Sequence, residues 1–219
     1  MNLDGAEDVP ERLHRTIRLR VPNSTQARRY VHRWKRLVDI VLLVVLGPLA
    51  IVGLGVTAVA LLVMEPGRPV LFSQSRAGRD HVPFTMYKFR TMIPDADRLH
   101  VPFSKGLRDP RVTRIGQLLR RLSLDELPQL INIAKGEMSF VGPRPLPLDE
   151  VAKLSPEFDI RYSVPPGLTG LWQISGRSNT SLGEWMALDT HYVLNVSARL
   201  DMAILLATVG VVLSGDGAY

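Results

Sequence analysis

From Ile40 to Met64 the chain carries about 25 consecutive residues without a charge, the length a helix needs to cross the hydrocarbon core of a bilayer. Gly47 and Pro48 fall about a third of the way along this run, where proline removes a backbone donor and bends the helix. Basic residues flank it on both sides: Arg28, Arg29, Arg33, Lys35 and Arg36 before it, with Trp34 among them, and Arg68, Arg76, Arg79, Lys88 and Arg90 after it. Such flanks normally stay on the cytoplasmic side. Two of them suit a helix-break-helix segment that enters and leaves by one face, and a tilted, proline-kinked single span accounts for the same pattern. The run starts too late and is too long for a secretory signal.

The remaining pattern is that of a small mixed domain. Two short extended runs, Val70–Gln74 and Val82–Phe89, flank a turn at Arg76–Asp80 and predict a β-hairpin. Ile115, Leu118, Leu119 and Leu122 recur at helical spacing over 111–122. A second helix is predicted from Ser123 to Lys135, ended by Gly136. The Pro-rich stretches Val141–Pro147 and Pro165–Gly176 read as loops. Ala203–Leu213 is apolar but about half the length of a span, so it reads as an interfacial or packed helix. Residues 1–30 show no apolar period and read as a disordered basic and polar tail.

Charge narrows the partners. Lys and Arg total 27 against 21 Asp and Glu, an excess that suits nucleic acid, an anionic membrane surface or a polyanionic substrate. Arginines interspersed with acids, with no basic recognition helix, argue against nucleic acid. The absence of cysteine excludes disulfides, thiol catalysis and Cys-ligated zinc. The 5 histidines show no metal-binding spacing, and His191, Tyr192 and Trp172 read as packing groups.

Chemistry concentrates at Arg120-Arg121-Leu122-Ser123-Leu124-Asp125-Glu126-Leu127-Pro128. Ser123 and Glu126 have the spacing of a capping box, and acids in a first helical turn are ordinary helix stabilisers. Arg144, in Gly142-Pro143-Arg144-Pro145, adds a fixed guanidinium. Two carboxylates beside several arginines suggest Mg²⁺ with a phosphate or pyrophosphate. A carboxylate can also attack phosphorus, dividing one hard step into two. With Glu126 engaged in the cap, Asp125 carries most of the catalytic expectation.

Five stretches carry a resemblance: Tyr87-Lys88-Phe89-Arg90-Thr91-Met92, Ser123 to Leu130, Gly136 to Pro145, Pro166-Gly167-Leu168-Thr169-Gly170-Leu171-Trp172-Gln173, and the terminal Gly217-Ala218-Tyr219. With Lys35-Arg36-Leu37-Val38-Asp39 they resemble the bacterial sugar transferase family, the monotopic polyprenyl-phosphate phosphoglycosyl transferases, in its short form. Gly47-Pro48 stands where some members have Ser-Pro, which keeps the kink and loses a hydroxyl. The resemblance implies an α+β, mainly helical fold. Its parts are a re-entrant membrane-embedded helix-break-helix at 31–66 and a small cytoplasmic catalytic domain at 67–219, with a β-hairpin and interfacial helices.

The implied reaction moves a sugar-1-phosphate from a UDP-sugar to undecaprenyl phosphate and releases UMP, the first membrane step of polysaccharide or glycoconjugate synthesis. Asp125 would form the covalent phosphosugar intermediate, and Glu126 would hold Mg²⁺ with it, position it or take a proton. Arg120, Arg144, Lys88 and Arg90 would bind phosphate or nucleotide. Lys35 and Arg36 would meet the lipid phosphate or anchor to head groups at the membrane boundary. The implied location is the bacterial inner membrane, with the catalytic domain on its cytoplasmic face. The implied partners are the UDP-sugar, undecaprenyl phosphate and membrane lipids, without nucleic acid; a homodimer is compatible with the sequence.

Overall fold

The structure, a computed structural model, describes residues 29–94, 96, 109–175 and 181–214, so the tail before residue 29 and the terminal Gly217-Ala218-Tyr219 lie outside the described residues. A π-helical turn, Tyr30–Trp34, leads into helix α1, Lys35–Met64, 30 residues long. Among the described residues it is the one helix long and apolar enough to cross a membrane. Pro48, of the Gly47-Pro48 pair at which the break is expected, lies inside this helix. Pro48 forfeits one backbone hydrogen bond, and the long apolar helix on either side carries through it. The middle of α1 is bare: Val44 is 71% exposed and Leu49 76%. Its two ends are not. Leu42 and Leu43 pack on the main core, while Leu54, Ala58 and Leu61 pack on a second cluster with Phe89, Ile115 and Leu119.

The predicted hairpin is present as β1, Leu71–Ala77, antiparallel to β2, Pro83–Phe89, in the register Phe72↔Lys88 and Arg76↔Phe84. Its turn lies two residues later than expected, because Arg76 and Ala77 belong to the strand and Gly78–Val82 connect. Helix α2, Arg114–Arg121, is capped by the Thr113 hydroxyl, which accepts from the Gly116 amide. Gly116 lies so close to the Thr91 backbone that a Cβ would overlap it. The helix predicted at Ser123–Lys135 divides in two, a 3₁₀ turn at Leu124–Gln129 and α3 at Leu130–Lys135. Gly136 ends α3 with φ 84°, as expected. Asn132 of α3 binds β2 from both sides, accepting from the Tyr87 amide and donating to the Thr85 carbonyl.

The loop predicted at Val141–Pro147 is present between a strand and a short helix, whereas the one predicted at Pro165–Gly176 holds short regular pieces. Strand β3, Ser139–Val141, pairs in parallel with β4, Gly167–Thr169. Helix α4, Leu148–Val151, a 3₁₀ segment at Pro156–Ser163 and helix α5, Leu171–Ile174, complete this region. Gly142 makes the β3–β4 approach possible, since a Cβ there would strike the Pro165 carbonyl. Helix α6, Leu182–Asn195, was not expected from the sequence and carries a true capping box, Ser181 with Glu184. Helix α7, Ala198–Ser214, extends the predicted terminal helix. The main core gathers Met86, Ile133, Met138, Tyr192, Leu200 and Ile204 from these elements.

Lys35 and Arg36 differ from expectation. Lys35 is 2% exposed; its Nζ donates to Asp201 Oδ2 at 2.6 Å and to the Tyr192 hydroxyl at 3.0 Å. Tyr30 and Tyr192 donate to the same carboxylate, each at 2.7 Å. Arg36 donates to the Ile133 and Ala134 carbonyls at the C-terminal end of α3, where a cation satisfies orphan acceptors. Neither side chain reaches the cavity described below. Both bind the start of α1 to the domain: the buried Lys35 ammonium requires a buried partner, and Arg36 bonds the last carbonyls of α3. Lys35→Met should therefore lower stability by about 3–5 kcal/mol, read as a lower melting temperature in detergent. A head-group ligand would lose lipid affinity with its melting temperature unchanged.

Candidate active site

One cavity of ≈ 690 Å³ is lined by Asp125, Glu126, Lys88, Arg90, Arg120 and Arg144, the six residues singled out within the domain. Its acidic floor is set by 3₁₀ geometry. Residues three apart eclipse in such a turn, so Leu124 and Leu127 fall together onto α1 and its neighbours. A Cβ at Gly53 would come 3.1 Å from Leu127 Cδ1. Asp125 and Glu126, between the two leucines, line the cavity.

The capping box predicted for Ser123 and Glu126 is not formed. Ser123 sits at φ 55° with no side-chain cap hydrogen bond, whereas an N-cap serine needs extended backbone. The left-handed residue reverses the chain between α2 and the acidic turn. Glu126 is thereby released from the cap and accepts from both Nη atoms of Arg144 at 3.1 Å.

Asp125 is 9% exposed and makes no hydrogen bond or salt bridge among the described residues. Burial, then the adjacent Glu126 charge, pushes its carboxyl up to about 6, against the pull of Lys88, Arg120 and Arg144. Lys88 likewise has no hydrogen bond or salt bridge among the described residues. Burial and the Arg144 charge push its ammonium down to about 8. Arg120 is fixed by its Nε donating to Thr91 Oγ1 at 3.0 Å, and burial lowers its pKa too. Arg90 donates to Glu65 at the end of α1 at 2.7 Å, and its Nε and Nη1 have no partner among the described residues.

The Pro143-Arg144-Pro145 loop is held from behind. Prolines offer no amides, so other side chains pin its carbonyls: Arg161 Nη2 donates to Arg144 O at 2.8 Å and Arg76 Nη1 to Pro145 O at 3.0 Å. Arg161 is itself paired with Asp189 at 2.6 Å, both buried. The Arg144 guanidinium lies 5.6 Å from the Trp172 ring, which stacks on Trp185 at 4.3 Å. Arg76 and Trp172 both line the cavity. From the sequence Arg76 is expected in a turn and Trp172 in packing. Period-two alternation had the signal for Arg76, which shares a hairpin face with Lys88.

Five cations around two carboxylates make a receptor for a polyanion. For Mg²⁺ the donors are the hard oxygens of Asp125 and Glu126. Among the described residues no group of three or more His, Asp or Glu side chains gathers. Two carboxylates completed by substrate phosphate oxygens is a usual Mg²⁺ set, so the residues fit that ion in the presence of a phosphorylated ligand.

Comparison with known proteins gives a consistent picture. The bacterial sugar transferase family matches residues 30–215. The exopolysaccharide production protein ExoY of Sinorhizobium fredii is 40% identical over 197 residues, covering 84% of this chain and 85% of that protein. The UDP-glucose:undecaprenyl-phosphate glucose-1-phosphate transferase of Caulobacter vibrioides is 41% identical over 193 residues, covering 84% and 72%. The undecaprenyl-phosphate galactose phosphotransferase of Salmonella typhimurium is 36% identical over 224 residues, 94% of this chain. The chain spans 46% of that protein and 41% of the galactosyl transferase CpsE of Streptococcus agalactiae.

The raised Asp125 pKa has a stability consequence. Between the unfolded value of 3.8 and about 6 the folded chain binds the extra proton, so this stabilisation is present at low pH and lost as pH rises through about 6. Asp125→Asn mimics the neutral acid. It should raise stability at pH 7.5 by about 1–3 kcal/mol, with the gain vanishing below pH ~4. Thermal unfolding across that range checks the sign.

Proposed function

The chain belongs to the bacterial sugar transferase family, and on that premise we propose that it transfers a sugar-1-phosphate from a UDP-sugar to undecaprenyl phosphate, releasing UMP. The observation that carries this reading is Asp125: a buried carboxylate with no hydrogen-bonding partner among the described residues, facing a cation-lined cavity seated on an apolar helix. A carboxylate in that state keeps its lone pairs for an electrophile.

In the first step an Asp125 carboxylate oxygen bonds to the sugar-linked phosphorus. The bond from that phosphorus to the bridging oxygen breaks, and UMP departs with the bridging oxygen. In the second step a phosphate oxygen of the lipid attacks the same phosphorus, the acyl phosphate bond breaks, and Asp125 is regenerated as carboxylate. Arg120, Arg144 and Lys88 offset the charge of pyrophosphate and transition state, and their fixed positions avoid reorganisation. Glu126 holds Arg144 in place through its paired contacts. Asp125 and Glu126 would hold Mg²⁺ together with donor phosphate oxygens, and the bound ion would supply charge neutralisation of the pyrophosphate.

Membrane placement follows the same logic. The bare middle of α1 matches a bilayer interior, and both its ends pack on one body. A straight span would separate Asp39 from Leu61 by about 33 Å, more than the hydrocarbon core of about 30 Å. A catalytic body touching both ends is supported best by a re-entrant segment that enters and leaves by one face. That face is the cytoplasmic one in this reading, since both flanks are basic and a UDP-sugar is water-soluble. Residues 31–66 are then the membrane-embedded segment and 67–219 the cytoplasmic catalytic domain. The name of one relative, an exopolysaccharide production protein, supports placing the reaction in exopolysaccharide synthesis, which in this reading takes place at the bacterial inner membrane.

Detergent-purified protein given Mg²⁺, undecaprenyl phosphate and a panel of UDP-sugars should release UMP with at least one donor. Asp125→Asn should lose both turnover and the covalent phosphosugar adduct seen by mass spectrometry; wild-type turnover in that variant would refute the nucleophile. Because the chain has no cysteine, Arg29→Cys and Arg68→Cys can be labelled singly. Both should react from the same side of sealed vesicles, and labelling from opposite sides would overturn the re-entrant path.

A further inference from the structure

The cavity has two chemically different walls. Besides the acids and arginines, the lining includes Leu205, Thr208, Val209 and Val212 of α7, whose three- and four-residue spacing puts them on one helix face. Phe140 and Leu168 extend that surface. The one polar member is already satisfied: the Thr208 hydroxyl donates to the Ile204 carbonyl at 2.7 Å and lies 2.7 Å from the Thr169 hydroxyl. A nucleotide sugar is mostly polar and charged and gains little from covering such a wall. The wall is not closed off within the cavity. Val209 is 58% exposed, and on the adjoining face Leu206 is 68% and Leu213 82% exposed. One continuous apolar strip therefore runs along α7 from inside the catalytic cavity to the outer surface.

We propose that this strip binds the first isoprene units of the lipid acceptor and thereby delivers its phosphate to Asp125. The proposal rests on the transferase reading above and adds to it the apolar subsite. Its occupant is fixed by continuity. A group lying on this wall with its phosphate at the acids must be both apolar and covalently attached to phosphate, as the isoprenoid end of a polyprenyl phosphate is. The face from Leu205 to Val212 is about 10 Å long, room for the head of the chain while the rest stays in the bilayer. Burying branched hydrocarbon against Leu and Val is favourable in proportion to the area covered.

The test uses the full chain in detergent and separates the two half-reactions. Val209→Asn and Val212→Asn replace residues that are exposed or half-buried, so the fold should tolerate them. Each should raise the KM for undecaprenyl phosphate about 10-fold, while the acceptor-free exchange of UMP with UDP-sugar stays within about 2-fold of wild type. An unchanged acceptor KM in both variants would overturn the assignment, and so would an equal loss of exchange. A polyprenyl phosphate with a photoreactive group on its first isoprene should label the peptide containing residues 205–212. Undecaprenyl phosphate should compete and phosphatidylglycerol should not. Labelling confined to α1, or equal competition by phosphatidylglycerol, would refute an acceptor subsite on α7. Failure of the transferase reading looks different, because wild-type protein would then show no UMP exchange at all.

Discussion

A carboxylate removed from water without a direct partner is expensive, and the site is organised around one that stays that way. Asp125 is buried and makes no hydrogen bond or salt bridge among the described residues, although Lys88, Arg120 and Arg144 all influence its charge. Each nearby guanidinium is occupied with something else: Arg120 with Thr91, Arg144 with Glu126. The surroundings thus lower the cost of the ionised form without contact with its oxygens. Full pairing would sequester the lone pairs that a nucleophile needs, and no compensation at all would leave the acid neutral at physiological pH. A pKa near 6 lies between those extremes.

Elsewhere two buried ion pairs build the scaffold. Lys35 with Asp201 joins the starts of α1 and α7, with two tyrosine hydroxyls completing the carboxylate. Arg161 with Asp189 fixes α6 beneath the Arg144 loop, and the same guanidinium holds the Arg144 carbonyl. Removing one partner from such a pair leaves an uncompensated charge and costs several kcal/mol, about 3–5. The division is functional: paired ions hold elements together, and the unpaired Asp125 and Lys88 face the cavity.

The sequence disclosed most of the cavity and less of its support. Asp125, Glu126, Arg120, Arg144, Lys88 and Arg90 were legible because they sit in motif-dense stretches with unusual charge for their apolar surroundings. Arg76 was hidden by Gly78, which drew the turn too far back along the chain, although strand alternation pointed to it. The capping box misled because Ser-x-x-Glu spacing says nothing about backbone conformation, and Ser123 is left-handed. Its loss changes the standing of Glu126, whose contacts go to Arg144 rather than to a helix terminus. Lys35 misled for a different reason. A basic residue beside an apolar run usually faces head groups, and only the tertiary arrangement of Tyr30, Tyr192 and Asp201, up to 171 residues apart in sequence, makes a buried site for it. The three-residue strands β3 and β4 are too short to show a period beside the prolines of the adjoining segments, and α6 mixes polar and apolar positions.

The same scaffold explains how one cavity can present two chemistries. Leu124 and Leu127 tie the acidic turn to the second half of α1, and Lys35 with Asp201 ties α7 to its first residue. The acids and the apolar face of α7 are therefore both referenced to a single helix, at different points along it. A bend or shift of α1 would move the two walls relative to each other, whereas a rigid α1 keeps the charged floor and the apolar wall in register. For a reaction that must bring a water-soluble phosphate and a lipid-borne one to the same carboxylate, that fixed separation matters more than the strength of any one contact. A misplacement of about 1 Å between reacting groups already costs about a hundredfold in rate.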